Sequence, residues 1–370
     1  MLENEKSGSD FAESVLAASL GSSSVGIEDD TTKENPSQYS EESEIARRFY
    51  PHKSVLYLLA NSYERKGEGK RADRVRSCGS SLFFAHEIDG YGEVNPKGKL
   101  KLANFCRDRL CPMCNWRRSL KIFGQVSQIM DLIEKDYSFL FLTLTVPNVP
   151  GEDLSRTIDK MISALHRLFD RKRVKTVLRG YFRALEITYN VVRDDFHPHF
   201  HIILAVPKSY FTSRDYIKQA EWLDMWNQSY YGRGYQNKPV TQITSLDVRK
   251  IYDKRGNGSI GSAVAESSKY AVKSSDYLHG DNYELTDKLV GIFSLTLFHR
   301  RLAQFGGIFL DTFHKLGLED VENDNSDLVH VNETINTTVD LLIRCFGWNV
   351  GISNYKFLGS YIQRGSENEN

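Results

Sequence analysis

His197-Pro198-His199-Phe200-His201 brings three imidazoles together and runs straight into Ile202, Ile203, Leu204, Ala205 and Val206. An apolar, β-branched run of this length predicts a strand buried on at least one face. Pro198 has no N–H for a ladder, so the regular strand is expected to begin at His199. Side chains alternate along a strand, so His199 and His201 face one way and Phe200 and Ile202 the other. Two imidazoles side by side on a rigid strand can ligate one divalent metal. Taken alone, the pair reads as two half-exposed histidines at the end of a sheet face. His197, ahead of the proline, is the outermost of the three and a further candidate ligand.

A carboxylate is at hand in the preceding segment. Tyr181 to Tyr189 reads as a strand in which Glu186 is an acid among apolar neighbours. A turn over Asn190–Asp195 makes a hairpin of the two strands, so Glu186 is placed across from the histidines. An acid in that setting needs a partner, either the metal shared with the imidazoles or an arginine.

A second cluster is made of thiols. Cys111 and Cys114 form a C-x2-C turn, Cys106 lies shortly before it, and Cys78 is further upstream. Four thiolates can close a tetrahedral zinc site, with Arg107, Arg109, Arg117 and Arg118 around it. The alternative is a set of buried or reactive thiols. The fifth cysteine, Cys345, is remote. An odd count with no secretory signal suits reduced thiols in the cytoplasm.

The third group is Glu266, Tyr270 and Lys273 in Ser262–Tyr277. Helical spacing puts Glu266 and Tyr270 on one face, with Lys273 three residues further on; in isolation this is an ordinary charged helix surface. Tyr277 shares that face and is a rival to Tyr270. Asp247 is a spare carboxylate of undefined orientation.

The elements that must position these groups follow from the pattern. Ser138–Val146 reads as a central strand closed by Pro147, Asn148, Pro150 and Gly151. Asp153–Asp170 and Phe211–Tyr231 have helical spacing, Val240–Ile251 alternates like a strand, and Leu289–Leu316 has long helical periodicity. Arg344–Leu358 reads as a hairpin. No apolar run is long enough to span a membrane.

The formal net charge is zero, from 48 basic and 48 acidic residues, but the charges are segregated. Residues 1–44 carry eleven acids against Lys6 and Lys33, a net −9, and few aromatics, which favours disorder. Residues 45–125 carry seventeen Lys/Arg against seven acids, a net +10. Such asymmetry suits a nucleic-acid surface with acidic flanks. The expected organisation is an acidic segment (1–44), a basic Cys-rich region suited to DNA (45–125), a core that carries the histidine pair and the Glu266–Lys273 group (126–285) and a helix-and-hairpin region (286–370) that binds DNA or forms a dimer.

Together the blocks resemble the HUH single-strand endonucleases, and more narrowly the rolling-circle replication initiators of small bacterial plasmids. Phe141-Leu-Thr-Leu-Thr145-Val-Pro-Asn148 is similar to the first motif of that family. His197-Pro-His199-Phe-His201 is similar to its metal motif, and Ser268-Lys-Tyr270-Ala-Val-Lys273 to its Y-x-x-K nucleophile segment. Glu266 resembles the glutamate of the one-tyrosine class. Cys106–Lys121 and Phe305-Gly-Gly-Ile-Phe also resemble blocks of that class, so the likeness spans roughly residues 45–360.

The resemblance implies an α+β fold: an antiparallel sheet with the metal on one face and helices packed on the other. It implies that Tyr270 nicks one strand of the plasmid origin, keeps the 5′ phosphate and leaves a 3′ hydroxyl as primer. Lys273 would favour the phenolate and hold the phosphate, and Glu266 would activate the water that releases the enzyme. His199, His201 and Glu186 would hold manganese or magnesium. Cys78, Cys106, Cys111 and Cys114 are candidate ligands of a structural zinc. The implied partners are origin DNA, duplex and as a single-stranded hairpin, with host helicase and polymerase, and a homodimer is compatible. The rival classes are a zinc-stabilised, non-catalytic nucleic-acid binder and a transposase or relaxase with the same metal site.

Overall fold

The computed structural model describes residues 36–365, apart from 253–259, 269–270, 324 and 332–333. Residues 1–35, most of the expected acidic segment, lie outside the described residues. In chain order the first elements are α1 (Pro36–Lys53), α2 (Leu56–Arg65), α3 (Gly69–Arg76), β1 (Ser81–Glu87), β2 (Lys99–Ala103) and α4 (Pro112–Ile133). Then come β3 (Tyr137–Thr145), α5 (Gly151–Phe169), α6 (Lys172–Val177), β4 (Gly180–Asn190), β5 (Asp195–Pro207) and α7 (Gln219–Tyr231). The last are β6 (Asp247–Lys250), α8 (Ile260–Ser267), α9 (Tyr283–Leu297), β7 (Ala303–Gly307), α10 (Ile308–Lys315), β8 (Leu341–Asn349) and β9 (Asn354–Gln363). The chain divides into two compact units, Met1–Arg117 with Asp327–Asn370, and Arg118–Ser326.

The first unit holds a four-stranded antiparallel sheet in the order β2-β1-β8-β9. On one face Phe83, Ala85, Leu341, Ile343 and Cys345 form a buried cluster. On the other, Phe84 meets Phe346 and the α1 residue Phe49 edge to face. The hairpin expected near the C-terminus is present, but it completes the sheet begun by β1 and β2. The expected 286–370 region is thus divided: α9, β7 and α10 belong to the second unit and β8–β9 to the first. α1 (Pro36–Lys53) overlaps the last residues of the expected acidic segment.

The second unit holds a five-stranded antiparallel sheet in the order β6-β3-β5-β4-β7. β5 is central, and its Phe200, Ile202, Leu204 and Val206 are buried. The strand begins at Asp195, ahead of the start expected at His199. Pro198 is tolerated because it lies beyond the end of β3, whose last pair is Thr145 with His199. Asn190 closes the β4–β5 turn by accepting from the N–H groups of Val192 and Arg193, each 3.0 Å away.

Helices cover both faces of this sheet, where the sequence led us to expect one. One face packs Phe141, Phe182, Ala184 and Ile203 against α4 (Val126, Ile129), α8 (Ala263, Val264) and α10 (Phe309, Phe313). The histidine pair lies on this face, at its far end. α5 packs on the opposite face through the buried stripe Leu154, Ile158, Met161, Leu165 and Leu168. The long helix expected over Leu289–Leu316 is interrupted by β7. Gly307 there has φ +55°, and a Cβ would fall 2.4 Å from the Arg179 carbonyl. A Gly-Gly pair that admits a strand at close approach therefore overrides helical periodicity. α7 starts at Gln219, later than expected, where Glu221 accepts from the Lys218 N–H at 2.8 Å.

Candidate metal centre

Register places the three expected ligands together. Glu186 on β4 is directly opposite His199 on β5, and the neighbouring pair on the same face is Ala184 with His201. All three side chains are buried. Glu186 Oε2 lies 2.8 Å from His201 Nε2 and 3.4 Å from His199 Nε2. One donor atom from each residue lies within 4.8 Å of the other two. Ligands about 2.0–2.2 Å from one ion are separated by roughly 3.0–3.4 Å, so the donor set fits a divalent metal.

The tautomer of His199 sharpens this. Its Nδ1 is 3.1 Å from the His197 carbonyl oxygen, which can only accept, so Nδ1 carries the proton. In the neutral ring the Nε2 lone pair then faces the Glu186 carboxylate. Two acceptors aimed at one another need a cation between them, either a proton or a metal ion. Nδ1 of His201 faces Thr143 Oγ1 at 3.4 Å. Backbone or hydroxyl support on the far ring nitrogen is the usual way in which metal-binding imidazoles are oriented. Burial works against charge on Glu186, yet the facing imidazoles of His199 and His201 hold its carboxyl well below the ordinary range. Burial lowers His197, with His199 adding to the effect; its ring stands 5.2 Å from that of His199.

Lys273 reaches this centre by a route that helical spacing did not anticipate. α8 ends at Ser267, whose hydroxyl donates back to the Ala263 carbonyl at 2.9 Å, a local competitor of the helix ladder. The chain then runs beside β4, past the end of β7, and Ile187 N–H donates to the Ala271 carbonyl at 2.7 Å. That contact brings Lys273 Nζ to 3.8 Å from Glu186 Oε1, with the lysine side chain half exposed. Glu266 is on α8, paired with Arg249 of β6 and partly exposed. Tyr270 lies outside the described residues. The rival Tyr277 is fully buried and packs edge to face on Phe293 of α9, so it is a core residue. Asp247, opposite Thr143 on β6, is exposed and turned toward Arg249 at 3.5 Å.

Three groups near the centre escaped the sequence. Arg249 stacks over Phe141, with its guanidinium carbon 4.6 Å from the ring centroid. Asp276 Oδ2 and His279 Nε2 are buried and have no hydrogen-bond partner among the described residues. Burial raises Asp276, Lys273 opposes that rise, and Glu186 adds to it. Alternation on β6 would have flagged Arg249; nothing local marks Asp276 or His279.

The thiol cluster is in the first unit. Cys78 follows α3, Cys106 follows β2, Cys111 precedes α4 and Cys114 lies in its first turn. The Sγ atoms of Cys78–Cys114, Cys106–Cys114 and Cys78–Cys111 are 3.6, 3.7 and 3.6 Å apart. A tetrahedron with zinc–sulfur bonds of about 2.3 Å has edges of about 3.8 Å, whereas a disulfide would need about 2.05 Å. The N–H groups of Cys106 and Arg107 point at the sulfurs of Cys78 and Cys114, at 3.3 and 3.2 Å. Burial pushes the Cys78 and Cys111 thiols well above their ordinary range. Lys53 is nearby: burial lowers it to about 8, while Cys78, Cys111 and Cys106 oppose that fall. Four sulfurs with N–H donors and an adjacent amine form a donor set that fits zinc.

Comparison with known proteins shows the family to which the chain belongs. The sequence profile of replication proteins matches residues 97–356. A "Protein rep" of Bacillus amyloliquefaciens is 39% identical over 316 residues, covering 80% of this chain and 90% of the relative. One from Streptococcus pneumoniae is 38% identical over 293 residues, covering 78% and 84%. One from Staphylococcus aureus is 40% identical over 209 residues, covering 56% and 83%. No solved structure matches the chain. The chain belongs to the replication protein family, and with it to the rolling-circle plasmid replication initiators. Among the described residues no helix is long and apolar enough to cross a membrane.

Proposed function

We propose that this replication initiator is a metal-dependent nicking and strand-transferring enzyme of the HUH type, acting in the cytoplasm on plasmid origin DNA. The observation that carries the proposal is the convergence of Glu186, His199 and His201, with the two Nε2 atoms on one carboxylate oxygen and Lys273 Nζ 3.8 Å from the other. The rival reading, a non-catalytic binder, leaves that geometry as a coincidence. Manganese or magnesium held by these three residues would polarise a non-bridging oxygen of the scissile phosphate.

The residues of the chain do the rest. The Tyr270 oxygen attacks phosphorus, the bond to the 3′ oxygen breaks, and the 5′ phosphate stays on the tyrosine while the strand keeps a 3′ hydroxyl. A tyrosine hydroxyl has a reference pKa near ~10, so forming the phenolate at pH 7 costs about 4 kcal/mol. Lys273 offsets part of that cost and contacts the phosphate. Glu266 accepts a proton from the water that resolves the link at termination. Because the phosphodiester energy is kept in the phosphotyrosine bond, rejoining needs no nucleotide triphosphate. Zinc held by Cys78, Cys106, Cys111 and Cys114 would keep the first unit in shape, and host helicase and polymerase would extend the primer.

The test is a single-stranded origin oligonucleotide incubated with the full chain and manganese. A covalent adduct on the 5′ phosphate, mapped to Tyr270 and lost in Tyr270→Phe, is expected. Cleavage without an adduct, or an adduct that survives Tyr270→Phe, overturns the assignment.

A further inference from the structure

The first unit contains a cleft of about 990 Å³ that none of these steps uses. Tyr50, Lys53, Tyr57, Arg74, Arg76 and Trp348 line it, from α1, α2, α3 and the end of β8. Tyr50 is 42% and Tyr57 54% exposed, and the Tyr50 ring centre is 6.1 Å from that of Trp348. Open aromatic faces in a concave, basic setting are platforms for stacking.

The cations divide by what they already do. Lys53 Nζ donates to the carbonyls of Arg76 and Cys78, both at 2.8 Å, and to Ser80 Oγ at 2.9 Å, so its three N–H groups are used. It forms the floor, 5.9 Å from the Trp348 ring. Arg76 is committed to Glu64 and Asp73. Arg74 is exposed, and its guanidinium has no acidic or hydrogen-bonding partner among the described residues.

We infer that this cleft binds single-stranded DNA, stacking unpaired bases on Tyr50 and Tyr57 and holding a phosphate with Arg74. Ring faces read the π-surface of a base, which is exposed only when the base is unstacked, so a duplex cannot use them. The inference rests on the DNA-nicking reading only for the source of the strand, an extruded origin hairpin or the displaced strand. The bond from Lys53 to the Cys78 carbonyl ties the floor to the thiol cluster, so the cleft depends on that cluster's integrity.

The experiment is fluorescence anisotropy of the full chain with a short labelled oligothymidylate, without added divalent cation. Tyr50→Ala and Tyr57→Ala are each expected to weaken binding about tenfold, the effect of losing one stacking platform. Tyr50→Phe should bind normally. Arg74→Ala should reduce the slope of log affinity against log salt by about 0.7. Affinity for a duplex of the same length should not change in the tyrosine variants. Unchanged oligothymidylate binding in both alanine variants, or an equal loss for duplex, overturns the cleft. Nicking by the wild-type chain is scored separately. Failure to nick with intact tyrosine effects sinks the catalytic reading and leaves the cleft; the reverse result does the opposite.

Discussion

The two candidate metal centres are built on opposite plans. The thiol cluster gathers four ligands from loops and a helix start, three within Cys106–Cys114 and the fourth at Cys78, all with sulfur donors, and backbone N–H groups support them. Four sulfurs complete a tetrahedron and leave no place for a substrate, which is the plan of a structural site. The Glu186–His199–His201 centre draws three ligands from one β-hairpin. A metal held there would have coordination positions left for other ligands, and the half-exposed Lys273 stands beside Glu186. Three protein ligands on a rigid sheet, with room left for a phosphate oxygen and water, are the plan of a catalytic site. Ligands supplied by loops must be tied together by the metal; ligands supplied by a sheet are in place before it arrives.

The sharpest way to break that contrast is to remove a ligand from each. Cys114→Ser should abolish stoichiometric zinc and unfold the first unit, because structural zinc contributes on the order of 10–16 kcal/mol to folded zinc-finger peptides. Metal analysis of freshly purified, reduced protein and limited proteolysis give the readout. A zinc-free wild-type protein that is fully folded would refute the structural role. His201→Ala should instead leave melting within a few degrees of wild type, because the sheet supplies the geometry. Nicking should fall about 10³-fold or more, the several kcal/mol of charge stabilisation that a bound cation supplies. Duplex origin binding, dominated by phosphate contacts, should be retained. Normal nicking by His201→Ala after chelation would make the histidines structural.

Glu266→Ala separates cleavage from release. The first nick should persist, while hydrolytic release slows about 10²–10⁴-fold, the usual cost of losing a general base. The covalent adduct then accumulates on a denaturing gel, and products longer than one plasmid unit appear. Tyr277→Phe is the control, since its ring is buried against Phe293 and should change stability without changing the adduct. Release at the wild-type rate in Glu266→Ala would remove that residue from the mechanism.

How far the sequence reached follows from the same contrast. β5 was legible because a short continuous apolar, β-branched run marks the strand and alternation then puts His199 and His201 on one face, and Glu186 because a carboxylate in an apolar hairpin partner has to be explained. The cysteine spacing was legible as a set of ligands. Lys273 was brought to the right neighbourhood for the wrong reason: i+3 spacing placed it on a helix, whereas α8 ends at Ser267 and the Ala271 carbonyl carries the chain to β4. The pairing of β1 with β8 left no local signal, because it joins Ser81–Glu87 to Leu341–Gly347 across the whole second unit. Asp276 and His279 were invisible for a related reason. What makes them notable is burial beside the centre without a hydrogen-bond partner among the described residues, and that is a property of packing.

The smallest effect should come from the support behind the ligands, and it tests whether the sheet alone orients them. His199 is fixed by a backbone carbonyl, which no side-chain substitution removes. Among the described residues His201 has only Thr143 Oγ1 behind it, at a long 3.4 Å. Thr143→Val keeps the branched shape on β3 and deletes that oxygen. Loss of such support usually lowers metal affinity about 10–100-fold, and the length of this contact points to the lower end. The manganese concentration for half-maximal nicking should therefore rise about tenfold, while the rate at saturating manganese and the zinc content stay as in wild type. A lower saturated rate would mean that Thr143 acts on the substrate. An unchanged manganese requirement would mean that strand register by itself holds His201, and the contrast between a sheet-built site and a metal-built one would be stronger for it.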